Sequence, residues 1–272
     1  MKLSVVIPAH NEEGCISAVV ENLINALEVN KIDHEIILVN DNSTDNTPQV
    51  LRGLAEAYKE IKVINVPMPR GFGRAIRNGL EYATGNIVVI FMGDGSDEAE
   101  DVIKYYNKIL QGYDCVFGSR FMTGSKTTGY PKVKFILNRM GNKLIQLLFW
   151  IKYNDVSNAF KAYRIEVIRA VQPLISQYFN ITVEIPLKAI VRGFSFAVVP
   201  INWNGRVSGV SKYNIGELSK KYFFSILFVW LEKILLKEEI NPSTPRPKRS
   251  GFVLRLAQHP SKHPEQCRRA QD

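Results

Sequence analysis

The chain has 272 residues, 46% of them hydrophobic and 22% charged, with a net charge of +9. This is the make-up of a globular protein with room for one large domain, and it excludes a disordered or fibrous chain. The basic surplus suits a phosphorylated ligand, an anionic lipid or nucleic acid, but no zinc-finger spacing or heptad-bearing basic helix accompanies it, so no nucleic-acid partner is expected.

Leu3–Pro8 reads as a buried strand that stops abruptly at Ala9-His10-Asn11-Glu12. A helix is predicted over Cys15–Asn30, with Ile16, Val19, Val20, Leu23, Ile24 and Leu27 on one face. The next strand, Glu35–Val39, stops at Asn40-Asp41. Helix Thr47–Tyr58 is started by Asp45 or Thr47 as cap, with Pro48 in its first turn. Strand Ile61–Val66 follows, then the run Arg70-Gly71 to Gly79, leading into a helix that closes near Thr84-Gly85. Strand Asn86–Met92 runs into Gly93-Asp94-Gly95-Ser96-Asp97, helix Glu100–Gln111 follows, and Asp114–Gly118 is the fifth strand. This alternation predicts an α/β fold with a doubly wound, mostly parallel sheet, in which ligands bind at the carboxyl ends of the strands.

Beyond residue 118 the pattern loosens. A loop (Thr123–Pro131) precedes an apolar helix over Val133–Ile151, a mixed segment reaches Trp203, Gly205–Lys212 is a loop, and 215–236 is helical. The expected organisation is a domain over 1–214, an apolar helix over 215–240 and a disordered or appended basic tail over 241–272. Residues 237–272 carry eight Lys or Arg against four Asp or Glu. There is no internal repeat. Cys15, Cys115 and Cys267 are too few and too scattered for a disulfide framework or a zinc site, and they suit a reducing compartment. The amino terminus enters a strand at once, so no signal peptide is expected. The apolar run at 222–231 is too short to span a bilayer, which needs ~20 residues. It reads equally as a core helix or as an in-plane helix whose Lys220, Lys221 and Lys233 meet headgroups.

Several side chains carry chemistry at these strand ends. Asp41 can accept a hydrogen bond from the N–H of a base, although an isolated aspartate there more often forms an Asx turn. Asp94 is placed to hold Mg²⁺ or Mn²⁺, which prefer oxygen and neutralise a diphosphate. Asp97 either assists or caps the next helix. The Gly71–Gly79 run matches neither a P-loop nor a dinucleotide fingerprint, and its glycines equally serve close helix–sheet packing. Arg120, Lys134, Arg206 and Lys212 are cations able to hold an anionic ligand, though one such lysine alone is ordinarily a solvated surface charge.

The Pro8–Glu12 and Asp41 segments together resemble the opening of family 2 nucleotide-sugar glycosyltransferases of the GT-A fold. The Gly71–Gly79 run, Met92-Gly-Asp94, Gly118-Ser-Arg120, Asp155–Arg164 and Gly205–Lys212 follow in order. Across residues 3–236 these segments are similar to polyprenyl-phosphate sugar synthases of the dolichol-phosphate mannose synthase type. Three departures stand out: Asn40-Asp41 for a pair of aspartates, Met92 for the first aspartate of Asp-x-Asp, and Ser157-Asn158-Ala159-Phe160-Lys161 for Ser-Gly-Phe-Arg.

The resemblance implies an inverting enzyme with Mg²⁺ or Mn²⁺ on Asp94, with Asp97 either a second ligand or a helix cap. A nucleotide-diphosphate sugar, carrying mannose or glucose, would sit on Pro8, His10, Glu12, Asp41, Gly71, Arg74 and Asp94. A polyprenyl phosphate would sit on Arg120, Lys134, Arg206, Ser211 and Lys212. Asp94, Arg120, Arg206 and Lys212 would be catalytic, and the enzyme would work against the cytoplasmic face of a membrane. Two alternatives stay open. A family 2 enzyme acting on a sugar hydroxyl would need a catalytic carboxylate, for which Asp155 and Glu184 are the candidates. A nucleotide-sugar-binding protein without turnover would fit the losses at Met92 and Asn40. Oligomeric state is not legible.

Overall fold

The computed structural model describes residues 1–205 and 215–239. Seven strands form one sheet in the order β3-β2-β1-β4-β7-β5-β8. These are β1 (Leu3–Ala9), β2 (His34–Asn40), β3 (Ile61–Asn65), β4 (Ile87–Ile90), β5 (Cys115–Ser119), β7 (Lys161–Arg164) and β8 (Phe196–Pro200). β1 pairs in parallel with β2 and β4, β2 with β3, and β5 with β8. β7, hidden in the mixed segment of the sequence, lies antiparallel between β4 and β5. A small second sheet joins β6 (Thr127–Thr128) to β9 (Trp203–Asn204).

Alternation along the central strands builds a core on each face. In β1, Val5 and Ile7 face the layer formed by α1 (Ile16–Val29), α2 (Thr47–Ala57) and α4 (Ala99–Leu110). Val6 faces the opposite layer, formed by α3 (Phe72–Glu81), α5 (Lys132–Phe149), α6 (Ile165–Ala170), α7 (Ile181–Val191) and α8 (Ile215–Glu239). Two of the glycines before and within α3 serve packing. A Cβ on Gly73 would lie 2.6 Å from the Ser176 carbonyl, and one on Gly79 would lie 2.4 Å from a Val6 methyl. Both distances are below any contact a real Cβ makes, so α3 can approach the sheet and the 176–178 segment only with glycine there.

α8 is one long helix with two characters. Ser225 and Val229 are buried on the α7 side, where Asn180 donates to the Ser225 hydroxyl at 2.7 Å and Arg192 pairs with Glu232. Phe223, Phe224, Phe228, Leu231 and Leu235 are exposed. The 222–231 run is thus buried on one face and exposed on the other. Among the described residues, no helix is long and apolar enough to cross a membrane. Residues 206–214 and 240–272, which include Arg206, Ser211, Lys212, Cys267 and the expected tail, lie outside the described residues.

Candidate active site

The sheet reverses its winding beside β1, so the ends of β1, β2 and β4 open onto one crevice. Asp41 follows β2 and is buried. Its two carboxylate oxygens accept the Gly71 N–H at 2.9 and 3.0 Å, tying the end of β2 to the start of α3. His10, beyond β1, bridges the same corner. Its Nδ1–H donates to the Asp41 carbonyl at 2.8 Å and its Nε2 accepts from Arg70 at 3.0 Å, a pair of roles that requires the neutral Nδ1–H tautomer.

Pro8 stands opposite Val39 within the β1–β2 ladder. The Glu12 backbone N–H donates to Thr47 Oγ1 at 2.9 Å. The Cys15 thiol lies 3.4 Å from both a Glu12 carboxylate oxygen and the Gly93 carbonyl, stitching this loop to the one after β4. Arg74 points along α3 to Gln177 Oε1 at 2.8 Å.

Asp94 and Asp97 sit in that β4 loop, both nearly buried. The Ser96 N–H donates to Asp94 at 3.1 Å and the Met92 N–H to Asp97 at 3.2 Å. Burial, followed by the neighbouring Asp94 charge, pushes the Asp97 carboxyl up to about 8. Two buried carboxylates that repel each other are a donor set suited to a hard divalent cation. One or two carboxylates completed by substrate phosphates is a usual way to hold Mg²⁺. Among the described residues no cluster of three or more ligand side chains exists, and the Met92 side chain adds no oxygen. Asp94 and Asp97 are thus the residues that fit the cation.

Arg120 leaves the end of β5, 9% exposed at its side chain, and is locked to Asp155. Nε and Nη2 donate to the two carboxylate oxygens at 2.8 and 2.7 Å, and the Arg120 backbone N–H adds a third bond at 3.0 Å. Burial would favour loss of the guanidinium charge, but Asp155 outweighs it and raises the pKa. The faces of Phe121 and Tyr130 lie 5.4 and 5.5 Å away.

This changes the reading of Asp155. It is fully buried and its oxygens are engaged by Arg120, so it orients a cation and does not face an acceptor. Glu184 is likewise fully buried, accepting from Ile175 N–H at 2.9 Å and Ser176 N–H at 2.8 Å and pairing with Lys188 at 3.1 Å. It is a structural clamp on the turn before α7. Lys161, at the start of β7, is also buried and donates to the Val156 and Thr182 carbonyls. Burial pushes its pKa down to about 7.

A cavity of about 890 Å³ begins at Asp94, Asp97 and Arg120 and continues as an apolar groove between α5 and α8. Tyr130, Lys134 and Trp203 line it, as do Leu148, Leu227 and Trp230. Tyr130, Trp203 and the α5 wall escaped the sequence reading. For Tyr130 and α5 the signal was the density of Leu, Ile and aromatic residues over Tyr130–Trp150, which a buried core helix would share; Trp203 had none.

A doubly wound, mostly parallel sheet that gathers Asp41, Asp94 and Asp97 at its switch point, with a locked arginine across the crevice, has the architecture of the GT-A glycosyltransferase fold. The family model described as glycosyl transferase family 2 matches residues 4–172, and the chain belongs to that family. Among its relatives is a dolichol-phosphate mannosyltransferase of Pyrococcus furiosus, 29% identical over 78% of this chain and 59% of that protein. Another is a polyprenol monophosphomannose synthase of Mycolicibacterium smegmatis, 27% identical over 80% and 83%. An uncharacterized glycosyltransferase of Synechocystis is 32% identical over 64% of this chain and 54% of its own length. The chain thus spans less than two thirds of two of these relatives. Among solved structures, glucosyl-3-phosphoglycerate synthase from Mycobacterium tuberculosis, in complex with Mn²⁺, uridine diphosphate and glucosyl-3-phosphoglycerate, shares the fold. Its TM-score is 0.66 at 20% identity, over 84% of this chain and 79% of that one.

Proposed function

We propose that this family 2 transferase moves a hexose from a nucleotide-diphosphate sugar to a polyprenyl phosphate, with inversion at the anomeric carbon. The observation that carries the reading is the groove. It joins a carboxylate pair and a charged, buried arginine at one end to an apolar channel between two helices at the other. That is the shape of an acceptor with an anionic head and a long hydrocarbon tail. The two relatives with polyprenol or dolichol phosphate in their names agree with it.

The donor base would lie against Asp41, whose orientation Gly71 fixes, with the diphosphate crossing to Asp94 and Asp97. A Mg²⁺ or Mn²⁺ ion held by these two carboxylates would neutralise the departing diphosphate. The acceptor phosphate is already an anion and a nucleophile, so it needs alignment and no general base. Arg120, held flat by Asp155, and Lys134 at the rim supply the alignment; Arg206, Ser211 and Lys212 are proposed to join them. Direct attack by the phosphate oxygen breaks the anomeric C–O bond from the opposite face and gives the inverted product.

The rival, a sugar-hydroxyl acceptor, needs a carboxylate facing that acceptor. Asp155 and Glu184 are both committed elsewhere, which leaves, among the described residues, Asp97, whose carboxyl burial pushes up to about 8. The test is product formation by the purified full chain with labelled GDP- and UDP-sugars and Mn²⁺. Prenyl phosphate is offered in one arm and sugar-hydroxyl acceptors in the other. Labelled, alkali-stable but mild-acid-labile prenyl phosphate sugar is the expected product, and transfer to the hydroxyl acceptors alone overturns the reading.

A further inference from the structure

We infer that Asn180 is a positioning residue for nucleotide binding, acting on Asp41 through the 176–178 segment and the start of α3. The inference rests on the reading that the donor base lies against Asp41.

The start of α3 has no cap of its own. Gly71 occupies the N-cap position, where a side-chain oxygen ordinarily accepts one of the first unpaired N–H groups. Two acceptors from distant parts of the chain take over. Asp41 accepts the Gly71 N–H, and the Gln177 carbonyl accepts the Arg74 N–H at 3.2 Å. The approach is close, since a Cβ on Gly71 would lie 2.4 Å from that same carbonyl. Phe72 stacks on Phe179 with ring centroids 4.0 Å apart. A shift of the Gln177 carbonyl therefore carries the Gly71 N–H with it, and the Asp41 carboxylate follows its donor.

Asn180 holds Gln177 from both sides. It stands at the N-cap of α7 yet makes no side-chain bond to that helix. The amide is committed to tertiary links instead. Its Oδ1 accepts the Tyr178 N–H at 3.3 Å, and its Nδ2 donates to the hydroxyls of Ser176 at 2.8 Å and Ser225 at 2.7 Å. Ser176, Asn180 and Ser225 are all buried, so a lost bond here leaves a polar group unmet. Ser225 belongs to α8, which also walls the apolar groove. Asn180 thus joins the donor corner to the groove wall. Glu184 separately accepts the Ile175 and Ser176 N–H groups. The turn therefore keeps its backbone clamp when the Asn180 amide is removed, while Gln177 loses its anchors.

The test is a double-mutant cycle on nucleotide affinity, measured by calorimetry on the full chain with UDP and with GDP in the presence of Mn²⁺. Asn180→Ala should weaken the better-bound nucleotide by about tenfold, the size of one or two net hydrogen bonds. In the Asp41→Ala background the same change should cost less than about twofold, because no carboxylate remains to be misplaced. Ser225→Ala, which keeps the Asn180–Tyr178 bond, should show the same pattern at smaller size, and it carries the cycle if Asn180→Ala does not fold. Wild-type nucleotide affinity in Asn180→Ala, whatever its melting temperature, overturns the inference. So does a loss of equal size with and without Asp41, which a general loosening of the fold would give. If Asp41→Ala itself binds nucleotide like the wild type, the base reading fails and the inference with it. If Asp41→Ala loses affinity and Asn180→Ala does not, the inference fails alone.

Discussion

Replacing Asp155 by Asn separates a structural from a chemical role for this carboxylate. Asp155 accepts three hydrogen bonds from one residue, at 2.7, 2.8 and 3.0 Å, and among the described residues it is the ion-pair partner of a guanidinium that is 9% exposed. Asparagine keeps the shape but offers one acceptor oxygen and turns an NH₂ group toward the guanidinium. Removing one partner of a buried pair costs about 3–5 kcal/mol, because the remaining charge is left uncompensated. At roughly 2–4 °C per kcal/mol for a domain of about this size, the melting temperature should fall by about 6–20 °C. The assay is a thermal melt by circular dichroism, followed by donor affinity at a temperature where both proteins are folded. Donor affinity should stay within a few-fold of wild type, since both Asp155 oxygens are engaged by Arg120. A variant that melts like the wild type yet loses turnover would refute the argument, restore Asp155 as a general base and favour a sugar-hydroxyl acceptor.

Three further outcomes follow from the same geometry. Asp94→Asn should abolish the Mn²⁺-dependent part of nucleotide-sugar binding in calorimetry, while the metal-independent part persists; unchanged Mn²⁺ stimulation would sink the ligand assignment. Asp41→Ala should weaken nucleotide affinity by about 1.5–3 kcal/mol, the range for a hydrogen bond to a charged group, with cooperative unfolding retained; a non-cooperative melt would make Asp41 structural instead. Lys161 is depressed in the folded state to about 7 from an ordinary value near 10.4. Between those pH values the unfolded chain binds the extra proton, so this group makes stability rise with pH across that window. Lys161→Met should flatten that rise in urea titrations at pH 7 and pH 10, and an unchanged slope would place the titration elsewhere.

The half of the molecule that the sequence displayed clearly is the half with local logic. β1, β2 and β4 are apolar runs that end at polar turns, and each end delivers a residue to the crevice. Their boundaries came out a residue or two off, because the ladder ends where a neighbouring strand does: β4 closes at Ile90 while the strand-like run continues to Met92. Beyond residue 118 the deciding partners are distant. Lys161–Arg164 is too short and too mixed to announce a strand, and only its slot between β4 and β5 makes it one. Asp155 looked like a free acid because nothing local shows that Arg120, 35 positions earlier, occupies it. The α5 helix was legible as apolar, but which of its faces meets the domain is set by Asn142, Ile145 and Phe149 packing in three dimensions.

The place of β7 also orders the birth of the protein. Both neighbours of β5 in the sheet, β7 and β8, come after it in the chain. During synthesis β1 through β4 have everything they need to pair with one another. β5 emerges with no ladder to join until Lys161–Arg164 has left the ribosome. The crevice at the ends of β1, β2 and β4 can therefore be assembled on a nascent chain, while the Arg120–Asp155 side waits for some forty more residues. In that interval β4 keeps one open edge, a natural point of engagement for chaperones and of mispairing between neighbouring chains.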